Sequence, residues 1–517
     1  MRIKHCTGVL PSVLVAVCGC ASLDPKSDFE RAAQHVEAAV GEAGIHQPDD
    51  EAIVAGRVAD LLRDGLTIRD AVQMCLLNNP RLATELLKVG VARAEFVQSG
   101  LLSNPTLSFA PRWPDGGGIS NLQFGLAQNI AELWQIPFRR KAAQRDLDRV
   151  ILEAAREASL SALRARLAYY RVLGAERVAQ LAQDNTGLTA RLVELAIGRR
   201  DAGAGNAIDV NLARAQHAEA VLRARNASFD VVEARSSLVR LLGARMSPDR
   251  LVLVDALPEL SEFLPSPDDL FQRACEGRLD LKASLLAVKA ASARVDYEHS
   301  RVVKFLELGV SAERNAQWDK SRGRGGIGLE GSAEVPSDGL SSTASLVPQN
   351  GGFPSNEWVV GPSLGIDLPI FEQNQAQIAK AEYVRRQAEK LVQAIELDVF
   401  QEAHVACPRL KTAAGNARLY RDEIIPLRER VLALGEDAYR AGRTTLLLVV
   451  QAQQGLLDAR AAYVDALRDH AAAIVEIERV AGCPYDALLP VPSQQPSANP
   501  ETDEAIQPAS IAAEVLP

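Results

Sequence analysis

Ala202-Gly203-Ala204-Gly205-Asn206-Ala207-Ile208-Asp209-Val210 and Ala441-Gly442-Arg443-Thr444-Thr445-Leu446-Leu447-Leu448-Val449 are two copies of one pattern. The register continues without a gap through Ala213/Ala452, Ala220/Ala459 and Arg240/Arg479 to Gly243/Gly482. Each copy reads as a turn followed by a helix that stops at a glycine. Upstream, Asp70/Asp269, Gln73/Gln272, Leu82/Leu281, Val89/Val288, Ala92/Ala291 and Ala94/Ala293 share a second offset. The chain is an internal duplication, with repeats at 66–243 and 266–483 joined by a connector at 244–265.

Each repeat carries a long amphipathic arm. Phe138 to Arg200 contains no proline, and Leu160, Leu163, Leu167, Tyr170, Leu173, Val178 and Leu181 recur at the helical period. Glu372 to Arg440 is similar, with Pro408 and Pro426 expected to bend it. Such arms extend on the order of 90–100 Å, too far for one globular domain. The return arms, 207–242 and 446–481, are rich in alanine, which lets helices approach closely and form a thin wall. The second arm is one heptad longer than the first, so the apolar stripe stays in phase.

Each repeat is interrupted by a segment of period-two patterning. In the first, at about 103–130, Leu107 and Phe109 alternate with Thr106, Ser108 and Ala110. After Asp115-Gly116-Gly117-Gly118, Leu122, Phe124 and Leu126 alternate with Gln123, Gly125 and Ala127. This predicts a hairpin with one apolar face. The second segment pairs strands at about 304–314 and 357–368 across a polar loop, 315–356. All four tryptophans, Trp113, Trp134, Trp318 and Trp358, lie in or beside these segments, and none is expected in a helix. Aromatic residues at strand ends anchor outer-membrane barrels; a small soluble sheet with tryptophans in its core is the alternative. Only a closed barrel crosses a bilayer, and four strands cannot close. Three copies would supply roughly twelve strands, above the known minimum of about eight.

The amino terminus places the protein. Arg2, Lys4 and His5 precede an apolar stretch, Thr7 to Val17, and Val17-Cys18-Gly19-Cys20 follows. That reads as a lipoprotein signal at 1–19 with Cys20 the acylated mature terminus, and an ordinary signal with incidental cysteines as the alternative. The stretch is too short for a spanning helix. Residues 20–65 then form a tether, and 484–517, with Pro490, Pro492, Pro496, Pro500 and Pro508, a disordered tail. Of seven cysteines, Cys75, Cys275, Cys407 and Cys483 remain, without metal-ligand spacing. His217, His404 and His470 read as helix-face residues rather than ligands. A net charge of −9 argues against a nucleic-acid partner. With no hydrolase, zincin or phosphate-loop motif, we expect no enzyme, no cofactor and no bound metal. Arg322-Gly323-Arg324-Gly325-Gly326-Ile327-Gly328 lacks strand-to-helix context and reads as a loop.

Leu66-Thr67 through Ala71-Val72 to Asn79-Pro80-Arg81-Leu82, the run Gly361-Pro362-Ser363-Leu364-Gly365-Ile366-Asp367-Leu368-Pro369-Ile370-Phe371, and the turns at Gly203 and Gly442 occur in order in a duplicated chain. In these the sequence resembles the TolC family of trimeric outer-membrane factors over about 65–483. The resemblance implies a mainly α fold with a small β part: a trimeric α-helical barrel of long coiled-coil hairpins beneath an outer-membrane β-barrel with four strands per protomer. Pro137 and Pro369 would mark the strand-to-helix changes. It also implies a passive efflux conduit driven by an inner-membrane transporter through a periplasmic adaptor, anchored in outer-membrane lipid. A type I secretion channel and a non-channel periplasmic scaffold lipoprotein remain as alternatives. The turns Ala202-Gly203 and Ala441-Gly442 would meet the adaptor. A family aspartate–tyrosine pair that holds the entrance shut corresponds to Asp209 and Tyr439. The family's associated arginine corresponds to Thr444, beside Arg443, and its two pore aspartates to Leu448 and Gln451. An apolar Leu448 ring would then narrow the entrance in place of an acidic one.

Overall fold

The computed structural model describes residues 23–42, 51–63, 65–113, 121–315, 326–334, 341–349 and 357–489. Cys20, Trp318 and residues 490–517 of the expected tail lie outside them. Among the described residues two helices precede the repeats, α1 (Lys26–Val40) and α2 (Glu51–Leu61). The first repeat is α3 (Ile68–Asn78), α4 (Pro80–Ser99), β1 (Thr106–Arg112), β2 (Asn121–Asn129), α5 (Glu132–Asp201) and α6 (Ala207–Leu241). The second opens with α7 (Pro267–Gly277), α8 (Leu279–Ser300), β3 (Leu306–Asn315), β4 (Gly326–Glu334), β5 (Ser341–Gln349) and β6 (Glu357–Ile366). It closes with α9 (Gln375–Leu419), α10 (Ile425–Arg440) and α11 (Leu446–Ala481).

The duplication reaches the caps. Thr67 Oγ1 accepts from Asp70 N at 3.1 Å while the Asp70 carboxylate accepts from Thr67 N at 3.2 Å, a reciprocal capping box. At the matching place Ser266 Oγ accepts from Asp269 N at 3.1 Å. α5, at 70 residues, extends about 105 Å. Its partner arm is divided by a π-helical turn, Tyr420–Ile424, just before Pro426. Pro426 has no N–H to give the Asp422 carbonyl and its ring crowds that carbonyl, so the ladder widens there. Pro408 is absorbed within α9.

Strands β1, β2, β3 and β6 form one antiparallel sheet in that order. The helices that continue them, α4, α5, α8 and α9, pack side by side in the same order. Sheet and helices are thus two storeys of one wall. Register puts Leu107 opposite Leu126, Leu126 opposite Val310 and Leu308 opposite Leu364, so these residues share a face. That face stands open: Leu107 is 76% exposed, Phe109 58%, Val310 54% and Val360 62%. The other face carries Ser108, Gln123, Gly125, Gly309, Ser311 and Ser363. A soluble sheet buries its apolar face; this one turns it outward. Among the described residues no helix is long and apolar enough to cross a membrane.

Four expectations need correcting. The segment 315–356, read as a loop, carries the antiparallel hairpin β4–β5. It alternates small and polar residues too weakly to register as strands. Trp134, expected outside the helices, sits in the first turn of α5, which begins at Glu132; Pro137 therefore lies inside that helix rather than at its start. As the sixth residue it lies past the unpaired donors of the first turn, so its missing N–H leaves out one i→i−4 bond, to the Leu133 carbonyl. The segment 20–65, expected to be only a tether, contains α1, which is docked, burying Phe29, Ala32, Val36 and Val40 against Ile151, Ala155 and Ala158 of α5. Tyr485, assigned to the tail, is buried, and its hydroxyl donates to the Phe263 carbonyl at 2.6 Å.

Candidate functional site

The two glycine turns sit at the free ends of the long hairpins. After α5, Gly203 takes φ +74° and Ala204 N donates to the Arg199 carbonyl at 2.9 Å. After α10, Gly442 takes φ +71° and Arg443 N donates to the Ala438 carbonyl at 2.8 Å. Left-handed φ at both positions is why glycine recurs in the pattern. Asn206 then caps α6, its side-chain oxygen accepting from Asp209 N at 2.8 Å. Ala202, Gly203, Ala441 and Gly442 are all exposed.

Beneath the turns the hairpins are sealed by Leu192, Ala196, Val210, Ala213, Leu446, Val449, Val450 and Tyr439. Tyr439 is 3% exposed. Its neighbour is Arg199 of α5, whose guanidinium lies 4.3 Å from the ring centroid. Arg199 Nη1 donates to the Tyr439 carbonyl and Nη2 to the Ala204 carbonyl at 3.3 Å. The Tyr439 hydroxyl has no hydrogen-bond partner among the described residues, so the bond expected to Asp209 is not formed within this chain. Asp209 acts on Tyr439 at longer range: burial first and the Asp209 charge second push the phenol above its ordinary value. Arg443, Leu448 and Gln451 are exposed.

Beyond this seal, farther from the turns, lies a polar layer that sequence reasoning missed, since period analysis treats polar residues on an arm as solvated. Gln453 Nε2 donates to Asn185 Oδ1 at 3.2 Å, Thr189 Oγ1 meets His217 Nδ1 at 3.1 Å, and Arg223 bonds the Gln454 side chain. Asn185 and Thr189 are buried. A buried polar layer in a coiled coil fixes register at some cost in stability.

At the opposite end, Trp113 follows β1 and Trp358 opens β6, both at the far edge of the sheet and exposed. Trp134 stands at the near edge, its Nε1 donating to the Ser300 carbonyl at 3.4 Å. Between the two ends, α4, α5, α8 and α9 together line a groove of about 810 Å³. Three of its four arginines pair with carboxylates, Arg149 with Asp146 and Glu153 at 2.8 and 2.6 Å, Arg156 with Asp280 at 3.1 Å and Arg294 with Glu298 at 2.7 Å, while Arg139 donates to the Ser99 and Leu101 carbonyls. Among the described residues no cluster of metal-ligand type occurs.

The sequence family described as outer membrane efflux protein matches residues 270–483. The cobalt-zinc-cadmium resistance protein CzcC of Cupriavidus metallidurans is 24% identical over 317 residues, covering 61% of this chain and 66% of its own length. A membrane protein from Pseudomonas aeruginosa superposes with TM-score 0.62 at 19% identity, over 80% of this chain and 93% of that one. The outer-membrane channel OprN gives TM-score 0.62 at 17% identity, over 86% and 96%. In its duplicated hairpins, its outward apolar sheet and these likenesses, the chain is similar to the outer-membrane efflux proteins, the TolC-type outer-membrane factors.

Proposed function

We propose that this chain is the outer-membrane conduit of a tripartite efflux system. It works as a homotrimer held in outer-membrane lipid by its sheet and by acylated Cys20, and is driven by an inner-membrane transporter through a periplasmic adaptor that meets the Gly203 and Gly442 turns. The observation that carries the reading is the sheet's apolar face, open in the single chain and continuous with a wall of four helices. Its two edges, β1 with α4 and β6 with α9, are unlike, so copies fit head to tail and a ring can close. Membrane lipid then covers the apolar face, and no free strand edge remains. Matched ion pairs along the groove suit a passive tunnel that does not select by charge.

The CzcC likeness supports divalent metal ions as cargo, with selection left to the transporter. Deleting the gene should sensitise cells to zinc, cadmium or cobalt, and the full chain should restore tolerance. Heat-modifiable, detergent-resistant trimers should form in outer-membrane fractions and conduct in planar bilayers. Monomers or dimers alone, or recovery in the soluble periplasmic fraction, would reject the conduit. Intact-mass analysis should find an acylated Cys20 at the mature terminus; an unmodified terminus ends that part of the proposal.

A further inference from the structure

Arg199 occupies a place that neither the repeat pattern nor the family resemblance singles out. It lies in the last turn of α5, and Tyr439 in the last turn of α10. Both helices end here, so the negative ends of two helix dipoles converge, and the Tyr439 carbonyl, which accepts from Gly442 N at 3.0 Å, has a lone pair left for a second donor. One guanidinium answers both. Its Nη1 bonds the Tyr439 carbonyl, its Nη2 bonds the Ala204 carbonyl in the other turn, and its face stacks on the tyrosine ring. Nothing in these contacts uses the tyrosine hydroxyl. Arg199 Nε and Tyr439 Oη are both buried without a hydrogen-bond partner among the described residues. A closure that leaves two buried polar atoms unpaired is a weak one, as a gate requires.

We propose that Arg199 is the latch of the periplasmic entrance, tying the first turn to the second through main-chain carbonyls in place of an aspartate–tyrosine hydrogen bond. The inference rests on the conduit reading above. It separates from the family arrangement at one atom: a carbonyl-and-ring latch is indifferent to the tyrosine hydroxyl, whereas a side-chain gate depends on it.

The test is single-channel conductance of the full-length trimer in planar bilayers. Arg199→Ala should shift the closed-to-open ratio toward open by roughly ten-fold or more. Arg199→Lys, which keeps charge but lacks the planar fork, should fall between it and the parent. Tyr439→Phe should match the parent, and Tyr439→Leu, which removes the ring, should open. Hydrogen exchange gives a second readout: Arg199→Ala should speed exchange in 200–206 and 440–446 together and leave 160–175 unchanged. An Arg199→Ala trimer as closed as the parent, or a Tyr439→Phe trimer opened by that change alone, overturns the latch but spares the conduit. Trimers that never conduct, parent and variants alike, overturn both.

Discussion

Arg166 of α5 meets Glu478 of α11 at 2.6 Å, the arginine side chain 16% and the glutamate 8% exposed. The same guanidinium donates to the Val40 carbonyl at the end of α1, at 2.9 Å. The other carboxylate oxygen accepts from Tyr485 N at 3.1 Å. One ion pair thus joins both repeats, the docked amino-terminal helix and the segment after α11. A buried pair contributes little beyond an apolar replacement, but removing one partner strands a charge and costs about 3–5 kcal/mol. Glu478→Ala should lose about that much stability, and Arg166→Met with Glu478→Leu should recover most of it. Denaturant midpoints of the purified protein decide; a double variant no better than the single would refute the account.

Gly243 and Gly203 share a left-handed φ, +67° and +74°, but not their surroundings. A Cβ on Gly243 would lie 2.1 Å from the Asn78 carbonyl oxygen, whereas one on Gly203 meets nothing within 4 Å. Gly203→Ala should therefore cost only backbone strain, about 1–2 kcal/mol. Gly243→Ala must also push α6 off the α3–α4 junction, so its loss should be clearly greater. Thermal unfolding of the two variants side by side checks the order, and equal losses would contradict it.

His470 is fully buried in α11, where its Nε2 accepts from Ser261 N at 3.3 Å. Among the described residues Nδ1 has no hydrogen-bond partner, and Arg418, bonded to the Ser261 carbonyl at 3.1 Å, is a nearby cation. Tyr485 reaches Ser261 Oγ as a neutral phenol, its ionisation opposed by burial. Burial first and Arg418 second hold the imidazole below its ordinary value of 6.5. The unfolded chain then binds more protons than the folded one as pH falls below 6.5, so stability drops in that window. His35 contributes with the same sign. Comparing melting temperatures at about pH 7.5 and about pH 5, His470→Gln should shrink the parent's loss. An undiminished loss would assign the dependence elsewhere.

The glycine turns, the helical period and the alternation in Leu107–Phe109 and Leu122–Leu126 were legible because each is a local rule written in consecutive residues. The hairpin β4–β5 was not, since the glycines and serines of 326–334 and 341–349 give those stretches the composition of a loop. Arg199 was invisible for another reason: arginine near a helix end is common, and only the fold shows that a second helix ends beside it. Asn185 and Gln453 meet across 268 positions of sequence, a distance no period can read. Asp209 stands in the first turn of α6, but the partner of Tyr439 depends on side-chain reach, which alignment to a family cannot supply.

The sharpest check on the sheet uses its two faces. Val310 and Ser311 are neighbours in β3, and the register puts Val310 on the side of Leu126 and Ser311 on the side of Gly125. If lipid covers the apolar face, Val310→Lys places a charge in hydrocarbon at a cost of about 2–4 kcal/mol per protomer near the bilayer midplane. Ser311→Lys on the polar face faces water and costs far less. The first substitution should deplete heat-modifiable trimers from outer-membrane fractions, and the second should leave them near the parent level. A soluble sheet whose apolar face merely covers another part of the same chain gives a different result. There Val310→Lys would destabilise the isolated chain itself, and membrane fractionation would not distinguish the two positions. Trimers equally abundant in both variants would mean that this face does not meet lipid.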